Sequence, residues 1–364
     1  MLLARRNLFR DRTRFLLSVL GVAVSVGLIL LLAGYRAGVY RQASAYLDNA
    51  PGSVVVAEKG IRDFLGTSSV LPAGSLAAIR AAPGVDRVVP VVSQFVIFER
   101  HGRKDGFFLI GYDPASGGGP WRLVDGREPR ADDELVLDRT TARQHDIAIG
   151  DEVTLLDRQA TVVGLADDTT FWAGSIAFAR ITTLESLLRA PGLRSFLLVT
   201  PAGGVSPEAL RGQLTVPGAD VLLKSDVVAN DAKLLARVFD APIGLMVAIA
   251  FIVGVLVVGL VIYTATIERR REYGAVKAIG ARNRTLYRVV AIQAVIAAIV
   301  GAMAGIGLAI AAGAALMSWR PQFLVAIEPP AVAAVLASSL LMALLAALIP
   351  ARSIARLEPA EVFR

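Results

Sequence analysis

The residues with the clearest chemical purpose lie in one stretch, Glu268-Arg269-Arg270-Arg271-Glu272-Tyr273-Gly274-Ala275-Val276-Lys277-Ala278-Ile279-Gly280-Ala281, set between two long apolar runs. Arg271, Glu272 and Lys277 can form charge-assisted hydrogen bonds that fix the register of one surface on another. Gly274, Ala275, Ala278 and Gly280 are small enough to let a partner approach closely. Together they are the residue types of a docking helix. The rival reading is a loop whose basic residues only hold membrane topology. It accounts for the arginines, but for neither Glu272 nor the ordered small residues.

Other chemistry is sparse. The chain has no cysteine and two histidines, His101 and His145. That excludes disulfides, thiolate nucleophiles and a cysteine metal site, and two isolated histidines do not make a zinc site. Neither a G-x-x-x-x-G-K-[ST] phosphate loop nor a G-x-S-x-G elbow occurs, so the chain itself offers no ATP cradle and no hydrolase triad. Tyr35, Arg36 and Tyr40 cluster at the end of the first apolar run. They read as an aromatic belt with a snorkelling arginine or as a ligand site near the outer leaflet. Phe171-Trp172 reads as a contact with a partner or membrane, or as local core.

The elements that position these residues follow from hydropathy. Of 364 residues 55% are apolar and 19% charged, with mean hydropathy +0.59, which points to one membrane part and one water-exposed part. Four charge-free runs, 15–34, 243–264, 289–317 and 331–349, are long enough to span a hydrocarbon core of about 30 Å. The first is read as an uncleaved span, because its apolar core exceeds the 7–15 residues or so of a signal peptide.

Basic residues collect on one side of these runs. Residues 1–14 hold five arginines, 265–288 hold seven Lys or Arg, and the tail 350–364 holds three. The loop 318–330 has Arg320 alone as a basic residue, and 35–241 carries 22 Lys or Arg against 25 Asp or Glu. The net charge of +7 is therefore a topology signal rather than a nucleic-acid footprint. It predicts both termini and 265–288 in the cytoplasm and 35–241 outside.

Within 35–241 short β-rich runs alternate with turn signals and two or three short helices. The order reads β-α-β-β, an all-β insert, then β-α-β, with Ser206 as an N-cap. Residues 35–48 and 225–242 read as helical stalks that extend spans one and two. After Ile349 a break at Pro350 is expected, followed by an amphipathic tail with Arg352 and Arg356 on one face.

Three segments carry a family resemblance. The stretch 268–281 is similar to the R-R-x-E-[IY]-G-x-[LV]-[KR]-A-[IL]-G-A signature of MacB/FtsX-type (type VII) ABC transporter permeases. The close Pro350-Ala351-Arg352 through Phe363-Arg364 resembles their P-A-x-x-A-x-x-x-x-P-x-E-x-[LF]-R ending, and Arg6-Asn7-Leu8-Phe9-Arg10 resembles their start. The resemblance implies a four-span α-helical membrane domain with a MacB-like α+β extracytoplasmic domain inserted between spans one and two. It implies that Arg271, Glu272, Tyr273, Gly274, Lys277, Ala278 and Gly280 form a coupling helix docking on a separate ABC ATPase subunit, which would bring ATP and Mg; this chain holds no cofactor and no metal, and is no enzyme. It further implies a homodimer in the lipid of the bacterial inner membrane, with a periplasmic adaptor or other outer partner as an additional expectation. In layout the chain is most similar to DevC- and HrtB-like permeases. That implies export by mechanotransmission of a hydrophobic or amphipathic substrate: haem-like, lipid or drug-like. The alternative is FtsX-like signalling that activates an outer cell-wall hydrolase.

Overall fold

The computed structural model describes residues 12–100, 102–171, 174–268, 271, 274–275, 277 and 283–355. These fall into two compact units. One is drawn from Met1–Gly38, Phe239–Trp319 and Val325–Arg364, the other from Val39–Val238 and Arg320–Leu324.

The first unit is helical. It takes in α1 (Arg12–Asn49) as far as Gly38, α6 (Lys224–Glu268) from Phe239, α7 (Asn283–Trp319) and α8 (Pro329–Ala355), and all four helices are long and apolar enough to cross a membrane. They pack around Val22, Val26 and Leu30 of α1, Val258 of α6, Val290, Ala298 and Ala302 of α7, and Met342 and Ala346 of α8. Glycine allows the close approaches. A Cβ on Gly301 would stand 2.6 Å from Val22 Cβ, and one on Gly305 would stand 2.7 Å from the Ala23 carbonyl oxygen. The Gly301-x-x-x-Gly305 spacing thus seats α7 on α1 within one chain.

Two prolines are carried inside helices, Pro242 in α6 and Pro350 in α8. The expected break at Pro350 is therefore corrected: the helix continues to Ala355. A proline removes one i→i−4 hydrogen bond, but here the preceding turn is anchored, since Ala346 and Ala347 are buried in the bundle.

The second unit is an α+β domain lying in sequence between the first two span-capable helices, as the hydropathy pattern predicts. Its strands run from β1 (Val54–Glu58) to β11 (Ala219–Leu223) and include β4 (Leu123–Gly126), β5 (Glu134–Asp138) and β7 (Arg158–Ala166). With β2 (Val85–Arg100), β3 (Arg103–Tyr112), β9 (Gly174–Arg180) and β10 (Phe196–Pro201) they form a sheet in the order β11-β1-β10-β2-β3-β9-β5-β7-β4. β1 pairs antiparallel with both β10 and β11, so the first and last β-α-β segments interleave. Both faces of this part are covered. Val54 and Val56 point toward helices α2 (Ser75–Arg80) and α5 (Pro207–Gln213), meeting Ile79 and Leu210. Val55 and Ala57 point the other way, to a core with Tyr46, Phe64, Phe196 and Val227. Two buried faces explain why β1 reads as an unbroken apolar run instead of an alternating one.

β2 is 16 residues long. It pairs with β10 along its first half and then forms a hairpin with β3. The insert that follows is not all-β, because it contains α3 (Arg139–Gln144) and α4 (Ile181–Leu187). It also holds β9, which pairs parallel to β3. The expected N-cap is present, with Ser206 Oγ accepting from Ala209 N at 3.2 Å.

A stronger cap holds α3. Asp138 Oδ1 accepts from Thr140 N (2.8 Å) and Thr141 N (3.1 Å), and its Oδ2 accepts from the Thr169 hydroxyl at 2.6 Å. Burial raises this carboxyl against those three bonds. Replacing Asp138 by alanine removes the cap and strands the fully buried Thr169 hydroxyl, so a loss of about 2–3 kcal/mol is expected. Thermal unfolding checks this; a variant as stable as the parent would rule out the cap as a support of the insert.

Candidate functional site

Of the segment 268–281, expected from the sequence to dock on a partner, Arg271, Gly274, Ala275 and Lys277 are among the described residues, and all four are helical. Arg271 is exposed, Gly274 buried and Lys277 half-buried, so a small residue faces inward while a charged one faces out. Glu272, Tyr273, Ala278 and Gly280 lie outside the described residues, as do His101, Trp172 and Arg356. Arg352 is helical and exposed.

Tyr35, Arg36 and Tyr40 lie on α1, with both tyrosines half-buried and Arg36 exposed. The guanidinium of Arg36 forks onto Asp240 of α6, Nε to Oδ1 at 2.6 Å and a terminal nitrogen to Oδ2 at 2.9 Å. Sequence reasoning missed Asp240, because its partner stands 204 residues away. An acid one turn before an apolar run is the signal that could have found it. An exposed pair of this kind contributes about 1 kcal/mol or less, but its two-pronged geometry fixes the register of α1 against α6. Nearby, Ala326 N donates to the Gly34 carbonyl at 2.9 Å, tying the segment after α7 to α1.

His145 is structural. Its Nε2 stands 2.8 Å from Asp105 Oδ2, and its ring meets Phe98 edge-on with centroids 5.0 Å apart. No group of three or more His, Cys, Asp or Glu able to hold a metal occurs among the described residues.

The α+β unit contains a cavity of about 610 Å³. One wall is the last part of α1, with Arg41, Gln42, Ala45, Asp48 and Asn49; the facing wall includes Trp121, Thr140, Asp167, Asp168 and Thr170, and Pro321 and Leu324 close one side. Gln42, itself buried, donates to the Gln322 carbonyl at 3.0 Å, and Gln144 donates to Gln322 Oε1 at 2.8 Å. These bonds hold residues 320–324 in place. On the facing wall the charges pair among themselves: Arg122 with Asp168 at 2.5 Å, Arg139 with Asp167 at 2.6 Å, and Arg122 with Asp167 at 3.7 Å. No sequence motif marks this site, because its residues come from five separate stretches.

A second buried acid lies outside the cavity. Asp231 is 1% exposed. Its Oδ1 accepts from Phe64 N and Leu65 N, each at 3.0 Å, while Oδ2 is buried with no hydrogen-bond partner among the described residues. Burial pushes this carboxyl up to about 7, although the two backbone bonds pull the other way.

The four span-capable helices and the α+β unit inserted between the first two define a polytopic membrane protein. A family model for the MacB-like periplasmic core domain matches residues 15–216, and one for the FtsX-like permease C-terminal matches residues 244–359. The chain belongs to the MacB/FtsX-type ABC transporter permeases. An ABC transporter permease of Mycobacterium tuberculosis strain H37Rv, named as uncharacterized, is 26% identical over 363 residues, covering 99% of this chain and 98% of the relative. The macrolide export ATP-binding/permease protein MacB of Agrobacterium fabrum is 24% identical over 389 residues, covering 99% of this chain and 59% of that protein. The solved periplasmic region of MacB from Actinobacillus actinomycetemcomitans aligns with 50% of this chain and 94% of its own, at 14% identity and a TM-score of 0.39.

Proposed function

We propose that this chain is the permease subunit of an ATP-driven exporter that works by mechanotransmission. A separate ABC ATPase docks on Arg271, Glu272, Tyr273, Gly274, Lys277, Ala278 and Gly280, and two copies of the chain form the transporter. ATP binding by the partner brings the docking segments together, and α1 and α6 carry that motion outward. The cargo is a hydrophobic or amphipathic molecule taken from the outer leaflet or periplasm. The chain lies in the bacterial inner membrane with both termini and the docking segment in the cytoplasm and the outer unit outside.

The observation that carries this reading is the docking segment itself: charged anchors and small residues, ordered as in the family signature, between α6 and α7 of a permease. The four spans are free of charge, which favours motion transmitted along helices over a polar path through them. That same feature favours the second reading, FtsX-like signalling to an outer cell-wall hydrolase.

The test is affinity purification of the intact protein from its native membrane with mass spectrometry, alongside Glu272→Ala and Gly274→Leu. Recovery of an ABC ATPase at equal stoichiometry, lost in both variants, is the expected result. If the intact protein brings down no ATPase, the docking assignment fails. An outer hydrolase recovered in place of export activity would select the signalling reading.

A further inference from the structure

The cavity of the α+β unit is lined by two charges that make no direct ion pair among the described residues. Arg41 and Asp48 are exposed on α1, and neither side chain makes an ion pair or hydrogen bond among the described residues. Lys224 feels the Asp48 carboxylate, but its ammonium is held at 2.9 Å on the Ala50 carbonyl. The two are seven residues apart on one helix face, about two turns or 10.5 Å along the axis. Every charge on the facing wall is already neutralised within the Arg122, Arg139, Asp167 and Asp168 network. The ligand this arrangement takes therefore has a positive end and a negative end about 10 Å apart.

We propose that the cavity binds a short zwitterionic peptide of about three residues, its ammonium at Asp48 and its carboxylate at Arg41. An extended chain advances about 3.3–3.6 Å per residue, so three residues cover the distance. The volume of about 610 Å³ lies within the range of roughly 300–1,000 Å³ typical of small-molecule sites. Ala45, Pro321 and Leu324 line the cavity with apolar surface for a central side chain, and Thr140 and Thr170 add hydroxyls to the lining, that of Thr170 accepting from Gln42 at 3.4 Å. The site is fixed by the Gln42 and Gln144 bonds to Gln322 rather than by a loose loop. That the peptide is also the cargo rests on the exporter reading above; the binding does not.

The test is calorimetric titration of the full-length protein in lipid nanodiscs with Ala-Leu-Ala, its N-acetylated form and its C-terminal amide. Saturable binding of one peptide per chain is expected, weakened about tenfold by blocking either end, the equivalent of one charged contact. Asp48→Asn should weaken the free peptide and make acetylation indifferent; Arg41→Gln should do the same for amidation. Both residues are exposed, so the variants keep the fold. No binding at millimolar peptide, or binding insensitive to both end blocks, overturns the site. Stimulation of ATP hydrolysis by the same peptide in the complex with its ATPase tests cargo separately: binding without stimulation retains the site and rejects the cargo role.

Discussion

Gly305→Leu is expected to destabilise the membrane bundle strongly. The Cβ alone would stand 2.7 Å from the Ala23 carbonyl oxygen and 2.8 Å from Val26 Cγ1. Neither neighbour can move far: one is backbone, and the other is a fully buried β-branched side chain. Helices α1 and α7 must separate, which costs about 3 kcal/mol or more, a large share of a typical stability of about 5–15 kcal/mol. Gly307 sits on the same helix with nothing within 4 Å of its Cβ position, so Gly307→Leu should stay within about 0.5 kcal/mol of the parent. Size-exclusion profiles and thermal unfolding in detergent separate the two. Equal tolerance of both leucines would mean that α7 does not pack on α1 through this glycine.

Asp231→Asn is expected to stabilise the outer unit at neutral and alkaline pH while changing little below pH 4. The folded carboxyl titrates at about 7, against 3.8 in an unstructured chain. The native state therefore holds a proton that the unfolded state has lost, and stability falls as pH rises through that window and levels off above it. The ceiling on the loss is about 4 kcal/mol, and about 2 kcal/mol is expected because relaxation of the surroundings softens the burial penalty. Asparagine keeps the acceptor for Phe64 N and Leu65 N and removes the titration. Melting curves from pH 4 to 9 should diverge between parent and variant as pH rises. Parallel curves would show that Asp231 does not titrate across the window.

Much of the architecture is legible in the chain because hydropathy and turn chemistry are local. The four spans, the Val85 and Phe107 strands of the long hairpin and the Ser206 cap all announce themselves. β9 does not: Gly174-Ser175-Ile176-Ala177-Phe178-Ala179-Arg180 is rich in small residues of low strand propensity, yet Ala177 and Ala179 are fully buried in the core beneath the insert. Asp231 reads as a solvated acid on an amphipathic helix, since only tertiary folding brings Phe64 and Leu65 over it. Arg36 and Asp240, and the two walls of the cavity, meet for the same reason. The docking segment is the opposite case, an ordered local pattern that stands out in the sequence and of which four positions are described.

The interleaved sheet sets an order on folding. Val54 of β1 has Val199 and Leu223 as partners. During synthesis at about 5–20 residues per second, β1 waits roughly 10–30 s for them. The hairpin of β2 and β3 and the parallel strands of the insert need no such delay, because their partners are closer in the chain. The insert is thus the first part of the outer unit able to become native, and the half-sheet that carries it closes last. Its Val54–Val56 edge, wholly buried at the end, is the surface that a nascent chain must shield longest from misassociation.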